Sequence, residues 1–175
     1  DMSIIIEQLA MYHELVHKAQ TVRLIREQGF TSGDDYIAYQ QRVNNALRAM
    51  GVDPLMTSQI DKEVEAYAME LEVANILLQN RLKTSHGLLS QDELDRTLGL
   101  RSTTARTDVP SVRFSDMARA YFGTFNDNDP TQISPEFAVL ICRLHADMGL
   151  APITIREGRV ILLDRNMRVV DSRPL

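Results

Sequence analysis

The stretch AMYHELVHKA, residues 10 to 19, places two histidines four positions apart inside a long helical pattern. Apolar side chains recur at the spacing of an amphipathic helix from Ser3 to Glu27, and Ser3 can act as its N-cap. Residues four apart on a helix project from the same face, one turn from each other. We therefore expect the imidazoles of His13 and His17 to be able to bind one metal ion.

A glutamate directly follows the first of these histidines. Glu14 is rotated by about 100° from His13 around the helix, so it can reach a water on the metal more easily than the metal itself. Two imidazoles suit Zn²⁺, and such a glutamate can act as the general base that takes the proton of the water and passes it to the leaving amine. Leu15 and Val16 fill the variable positions of the motif and predict a partly buried helix.

The residues AMYHELVHKA resemble the active-site helix of the zincin metallopeptidases. The metzincin branch continues with a glycine and a third histidine, and here Gln20 and Arg23 occupy those two positions, which excludes that branch. In the other main branch, the gluzincins, a glutamate on a downstream helix supplies the third ligand. The resemblance implies a zinc-dependent peptidase that hydrolyses protein or peptide substrates.

The third ligand is expected on a helix predicted from Thr57 to Leu82. Its segment EVEAY resembles the gluzincin ligand segment, and this resemblance implies Glu63 as the ligand, with Glu65 as the second choice and Glu70 also open. Tyr67 stands where the family usually has an aspartate or asparagine that supports the site, so this support is a departure from the pattern.

The remaining candidate side chains receive ordinary structural interpretations. His86 is expected in a loop, and His145 near a helix C-terminus, where an imidazole interacts favourably with the helix dipole. Cys142 is expected to be a small core residue. Tyrosines stabilise the oxyanion in many such enzymes, and the sequence does not choose among Tyr12, Tyr36, Tyr39, Tyr67 and Tyr121.

The rest of the chain predicts a mainly helical α+β fold, a zincin-like active-site helix with a C-terminal β-hairpin or meander. Residues 1–100 are expected to form the helical zincin-like core, and residues 101–175 the C-terminal helices and hairpin packed on it. Only twelve residues precede His13, so the β-sheet of zincins is expected upstream in a longer protein, or replaced by the C-terminal strands, or absent in an atypical fold. Further helices are predicted over Asp34–Met50, from Ser90 to Leu98, over Ser115–Tyr121 and over Pro135–Met148, and strands around Glu157-Gly158 and Arg165-Asn166.

Composition narrows the function classes. The 175 residues are 44% hydrophobic and 25% charged, which is typical of one globular domain, alone or with a small appendage. The net charge of −5 argues against nucleic acid or an anionic membrane as the partner, and the single cysteine excludes a disulfide framework. The sequence has no transmembrane run and no signal peptide, so we expect a soluble protein of the cytoplasm or one secreted into a host cell.

Three functions stay open at this point. The first is a zinc peptidase similar to small bacterial effectors or toxins. The second is a zincin-like bacterial regulator peptidase that acts on a repressor. The third is a helical interaction module that binds no metal, in which the motif arises by coincidence.

Overall fold

A computed structural model describes residues 2–84, 114–122 and 134–175 of the chain. Its elements confirm the predicted class, a mainly helical α+β fold with β-structure at the C-terminus. His86, the helix predicted from Ser90 and the predicted division at residue 100 lie outside the described residues. The elements are α1 (Met2–Glu27), α2 (Gly33–Ala49), a 3₁₀ turn (Pro54–Met56), β1 (Thr57–Gln59), α3 (Ile60–Thr84), α4 (Phe114–Phe122), α5 (Pro135–Asp147), β2 (Ala151–Arg156), β3 (Arg159–Leu163) and β4 (Val169–Pro174).

The chain forms two compact units. The first comprises residues 1–16 and 64–140, and the second comprises residues 17–63 and 141–175. The division falls within α1, α3 and α5.

A four-stranded sheet is the centre of the second unit, and its strand order is β1-β2-β3-β4. The last three strands form an antiparallel meander, as the alternating pattern of the tail predicts. The predicted start of the helix at Thr57 was wrong: Thr57–Gln59 form the first strand, and the helix begins only at Ile60. Residues Thr57–Gln59 pair in parallel with Ala151–Ile153, a partner so distant in the sequence that no local pattern indicates it.

The turn between β2 and β3 lies where the sequence predicts it. Glu157 and Gly158 have φ angles of 51° and 67°, and positive φ at both central residues is the geometry of a type I′ hairpin turn. In the next turn, the Asp164 carboxylate accepts the backbone N–H groups of Asn166 and Arg168 at 2.8 and 2.9 Å. These two hydrogen bonds favour the charged form and lower the pKa of Asp164.

Helix α2 covers the sheet with its apolar face. Its buried side chains Val43, Ala46 and Leu47 pack with Ile153 and Val160 in one core cluster. Ser32 caps the helix by accepting the N–H of Asp35, and Gly51, with φ of 75°, follows its C-terminus. Cys142 also lies in the core of this unit and donates its S–H to the Asp164 carbonyl, and burial raises the pKa of its thiol.

The beginning of α3 is tied to β2 within the same unit. Asp61, in the first turn of α3, accepts hydrogen bonds from the Thr154 hydroxyl and from the Arg156 guanidinium, the latter at 2.9 Å. Ile60 beside it is fully buried. This end of α3 therefore has a fixed position against the sheet, and Glu63 lies in the same first turn, two residues after Asp61.

The described part of the first unit is helical. Buried Leu71, Met117 and Phe137 come from α3, α4 and α5. Ser134 caps α5 by accepting the N–H of Phe137 at 3.1 Å, and its hydroxyl donates to the Ala120 carbonyl at 2.8 Å. The capping serine followed by a proline at the first helical position is the arrangement that the sequence predicts.

Candidate metal centre

The candidate site begins with one face of α1. His13, His17 and Gln20 follow each other at helical spacings of four and three residues, so they lie in one row along the helix. The two histidine side chains are 13% and 24% exposed, and Gln20 is buried. Leu15 between the histidines is 54% exposed whereas Val16 is buried, so only one of the two apolar residues faces the interior.

His17 is held by the glutamine one turn further along. Its Nδ1 lies 2.8 Å from Gln20 Oε1, and Gln20 Nε2 donates to the Lys62 carbonyl at 2.8 Å. Because the amide NH₂ is engaged by a carbonyl, the amide oxygen faces the imidazole, and it can only accept. A hydrogen on His17 Nδ1 fits this arrangement, and in the neutral imidazole Nε2 then offers a lone pair.

That lone pair points towards a carboxylate. His17 Nε2 lies 3.3 Å from Glu63 Oε1, and Gln20 bonds to the residue immediately before Glu63. Two atoms that both offer lone pairs attract each other only through a proton or a cation between them. A proton or a cation between His17 Nε2 and Glu63 Oε1 would therefore stabilise this pair.

His13 has an equivalent arrangement in the first unit. Its Nδ1 lies 2.9 Å from Glu70 Oε2, and a carboxylate on one ring nitrogen is the usual support of a histidine that binds metal through the other. Its ring also meets the Tyr67 ring edge-on, with centroids 4.6 Å apart. Glu70 is thus placed as the partner of a histidine, and Tyr67 fills the position where the sequence departs from the gluzincin pattern.

Three of the predicted residues lie close enough together that they could hold a metal ion. One nitrogen each of His13 and His17 and one carboxylate oxygen of Glu63 lie within 4.8 Å of one another, and all three residues are partly buried. The first choice for the third ligand is in this group, and Glu65, the second choice, is not. Glu14 is exposed on α1 next to His13, where it is open to solvent.

The second oxygen of Glu63 faces another histidine. His145 Nε2 lies 3.7 Å from Glu63 Oε2, and the His145 residue is only 5% exposed. It lies in the last turn of α5, as the sequence predicts, but its position is a buried one beside a carboxylate. Glu63 therefore lies between two imidazoles of the second unit, His17 on one oxygen and His145 on the other.

A cavity of about 310 Å³ adjoins this part of the second unit. His17, Glu63 and Lys62 are among its lining residues, together with Tyr36 and Tyr39 of α2. Burial lowers the pKa of Lys62, against the opposing effect of the neighbouring carboxylate of Glu63, and burial raises the pKa of Tyr39. Of the five tyrosines considered for an oxyanion, these two share a cavity with candidate ligands.

Two residues next to the candidate ligands, Gln20 and His145, were not predicted as part of the site. Gln20 entered the sequence analysis only as the residue that excludes the metzincin branch, although an amide one turn after a ligand histidine is a usable signal. His145 carries no such signal, because its position beside Glu63 depends on a contact between residues 82 positions apart.

No family model, no curated protein and no solved structure matches the chain. Within the described ranges, none of the helices is both long enough and apolar enough to cross a membrane.

Proposed function

We propose that the chain is a zinc-dependent peptidase in which His13, His17 and Glu63 bind the metal and Glu14 is the general base. The observation that carries the proposal is the hydrogen bonding of the two histidines. Nδ1 of each lies within hydrogen-bond distance of a protein oxygen, and one nitrogen of each histidine and one oxygen of Glu63 lie within 4.8 Å of one another. Hydrogen bonds to the far nitrogen are the usual support of metal-binding histidines.

The donor set fits zinc. Two imidazoles and one carboxylate are nitrogen and oxygen ligands that zinc accepts, and three protein ligands leave a position open, as catalytic zinc sites do. When bound, the ion would supply Lewis acidity and lower the pKa of a water.

The protein groups have separate roles in the proposed reaction. Glu14 takes a proton from the attacking water and delivers it to the leaving amine, and its exposure leaves it accessible to both. Gln20 and Glu70 keep the two imidazoles in the tautomer that binds metal. His145 Nε2 lies 3.7 Å from the second oxygen of Glu63, beyond hydrogen-bond distance, so its role is to occupy that side of the carboxylate.

A peptide substrate is favoured by the strand next to the cavity. Within the described sheet β1 is an edge strand, and Thr57 and Gln59 from it line the cavity with His17 and Glu63. An edge strand offers unpaired backbone groups, and extended peptides bind proteins by pairing with such an edge.

Metal analysis of the purified protein tests the proposal. We expect one zinc per chain in the wild type, and loss of zinc in His13→Ala and Glu63→Ala. Glu65→Ala is the matched control, because it removes the same side chain from the same helix outside the group, and it should keep zinc. A wild-type protein without stoichiometric zinc refutes both peptidase readings and leaves the interaction module.

Cleavage of a mixed peptide library then tests catalysis. Glu14→Gln should retain zinc and lose turnover, since it removes the base and keeps the side-chain volume. Zinc-loaded wild type that cuts no peptide in the library would contradict a general peptidase. Selective cleavage of one repressor would instead favour the regulator peptidase.

A further inference from the structure

The cavity of the second unit has a distinctive charge pattern. Among the described residues that line it, Lys62 and Glu63 are the only charged ones apart from the imidazole of His17. The other polar lining residues are neutral amides, hydroxyls and phenols, among them Gln40, Asn44 and Gln59. The balance of charge in the cavity therefore depends on what each of these two residues binds.

The two charged residues differ in their surroundings. Glu63 is engaged by His17 and His145, and in the proposed site it binds the metal. Lys62 forms no ion pair with any residue in the described part of the chain, although it is only partly exposed. A partly buried ammonium without an ion-pair partner is costly unless another group supplies the negative charge. With metal on Glu63, the cavity has a net positive charge.

We propose that this cavity binds a carboxylate of the substrate through Lys62, next to the metal centre. The peptide part of this inference and the net positive charge rest on the proposed function, whereas the choice of Lys62 as the binding group rests on the lining of the cavity. A volume of about 310 Å³ is at the small end of ligand sites, which range from about 300 to 1,000 Å³, and so it suits one or two residues of a peptide. The carboxylate belongs to the C-terminus of the substrate or to an acidic side chain near the scissile bond.

Two pairs of small probes separate these sources. N-acetyl-glycylglycine and its amide differ only in a terminal carboxylate, and N-acetyl-glutamic acid α-amide and its glutamine counterpart differ only in a side-chain carboxylate. Binding to the zinc-loaded protein is followed by ¹H–¹⁵N NMR on the amides of Thr57 and Gln59. We expect one acid to bind about tenfold to hundredfold more tightly than its amide, the range of a charge-assisted hydrogen bond.

The variant Lys62→Gln should abolish this preference, and Lys18→Gln is the matched control, because Lys18 is exposed on α1 and does not line the cavity. A carboxylate that binds only to zinc would keep its preference in Lys62→Gln, and this result would overturn the inference. Equal binding of acids and amides by the wild type would overturn it as well.

Titration of the metal-free protein with the same acids and amides tests the carboxylate site separately from the proposed peptidase. Failure to take up zinc refutes the proposed peptidase, yet a preference for the acid that requires Lys62 would still support the carboxylate site. A zinc-loaded, active protein whose acid preference ignores Lys62 would keep the peptidase and refute the carboxylate site.

Discussion

Replacing Gln20 with leucine should lower both the zinc affinity and the free energy of unfolding, for two different reasons. The buried amide joins the His17 imidazole to the Lys62 carbonyl through two hydrogen bonds of 2.8 Å. Leucine has a similar volume but leaves His17 Nδ1 without this acceptor. Loss of the hydrogen bond to a buried donor costs about 1–3 kcal/mol of the free energy of unfolding. Loss of the support on the ligand should lower zinc affinity by about tenfold to hundredfold.

A second substitution at the same position separates the two effects. Gln20→Glu keeps an acceptor for the imidazole of His17, so zinc affinity should stay within a few-fold of the wild type. It removes the NH₂ group and turns a carboxylate towards the Lys62 carbonyl, so the metal-free protein should still lose stability. Gln8→Leu, on an exposed position of α1, is the control and should change the free energy of unfolding by less than about 0.5 kcal/mol.

Two measurements decide this prediction. Zinc affinity is obtained by competition with a chromophoric chelator, and stability by urea unfolding of the metal-free protein, so that the metal does not contribute to it. If Gln20→Leu bound zinc as tightly as the wild type, the argument that the amide fixes the tautomer of His17 would be refuted. If Gln20→Glu lost zinc as Gln20→Leu does, the acceptor alone would be insufficient.

Four further perturbations follow from the structure. Glu70→Ala should lower zinc affinity about tenfold to hundredfold by the same chelator competition, because His13 loses the carboxylate on Nδ1; unchanged affinity would contradict this role. His145→Asn should alter the visible spectrum of the cobalt-substituted protein, because the second oxygen of Glu63, the proposed third ligand, loses its neighbour. An unchanged spectrum would leave His145 a purely structural residue. Leu47→Ala should reduce the free energy of unfolding by about 2–5 kcal/mol in urea, since this side chain is only 1% exposed in the core cluster; a loss below about 1 kcal/mol would contradict its central position. The pKa of Asp164 is lowered in the folded state, so its contribution to stability is complete above its ordinary pKa of 3.8 and is lost as pH falls through the lower folded-state pKa. Asp164→Asn should therefore flatten the decrease in melting temperature below about pH 4, and a decrease as steep as that of the wild type would contradict this.

The sequence by itself determined the features that depend on neighbouring residues. The spacing of His13 and His17 puts both on one face of α1 because the helical repeat alone decides it. The turn at Glu157-Gly158 follows equally from local backbone preferences. The same applies to the cap at Ser134, which needs only the residues next to it.

Only the tertiary structure decided which distant residues meet these local features. Glu63 and Glu65 are two positions apart and point in directions about 200° apart on α3, so the helix repeat offers either one, and the contact with His17 selects Glu63. Glu70 and His145 acquire their places only through contacts between elements far apart in the chain. The strand Thr57–Gln59 likewise exists because Ala151–Ile153 pairs with it. Such contacts depend on how the elements pack, and no periodic pattern within one element specifies them.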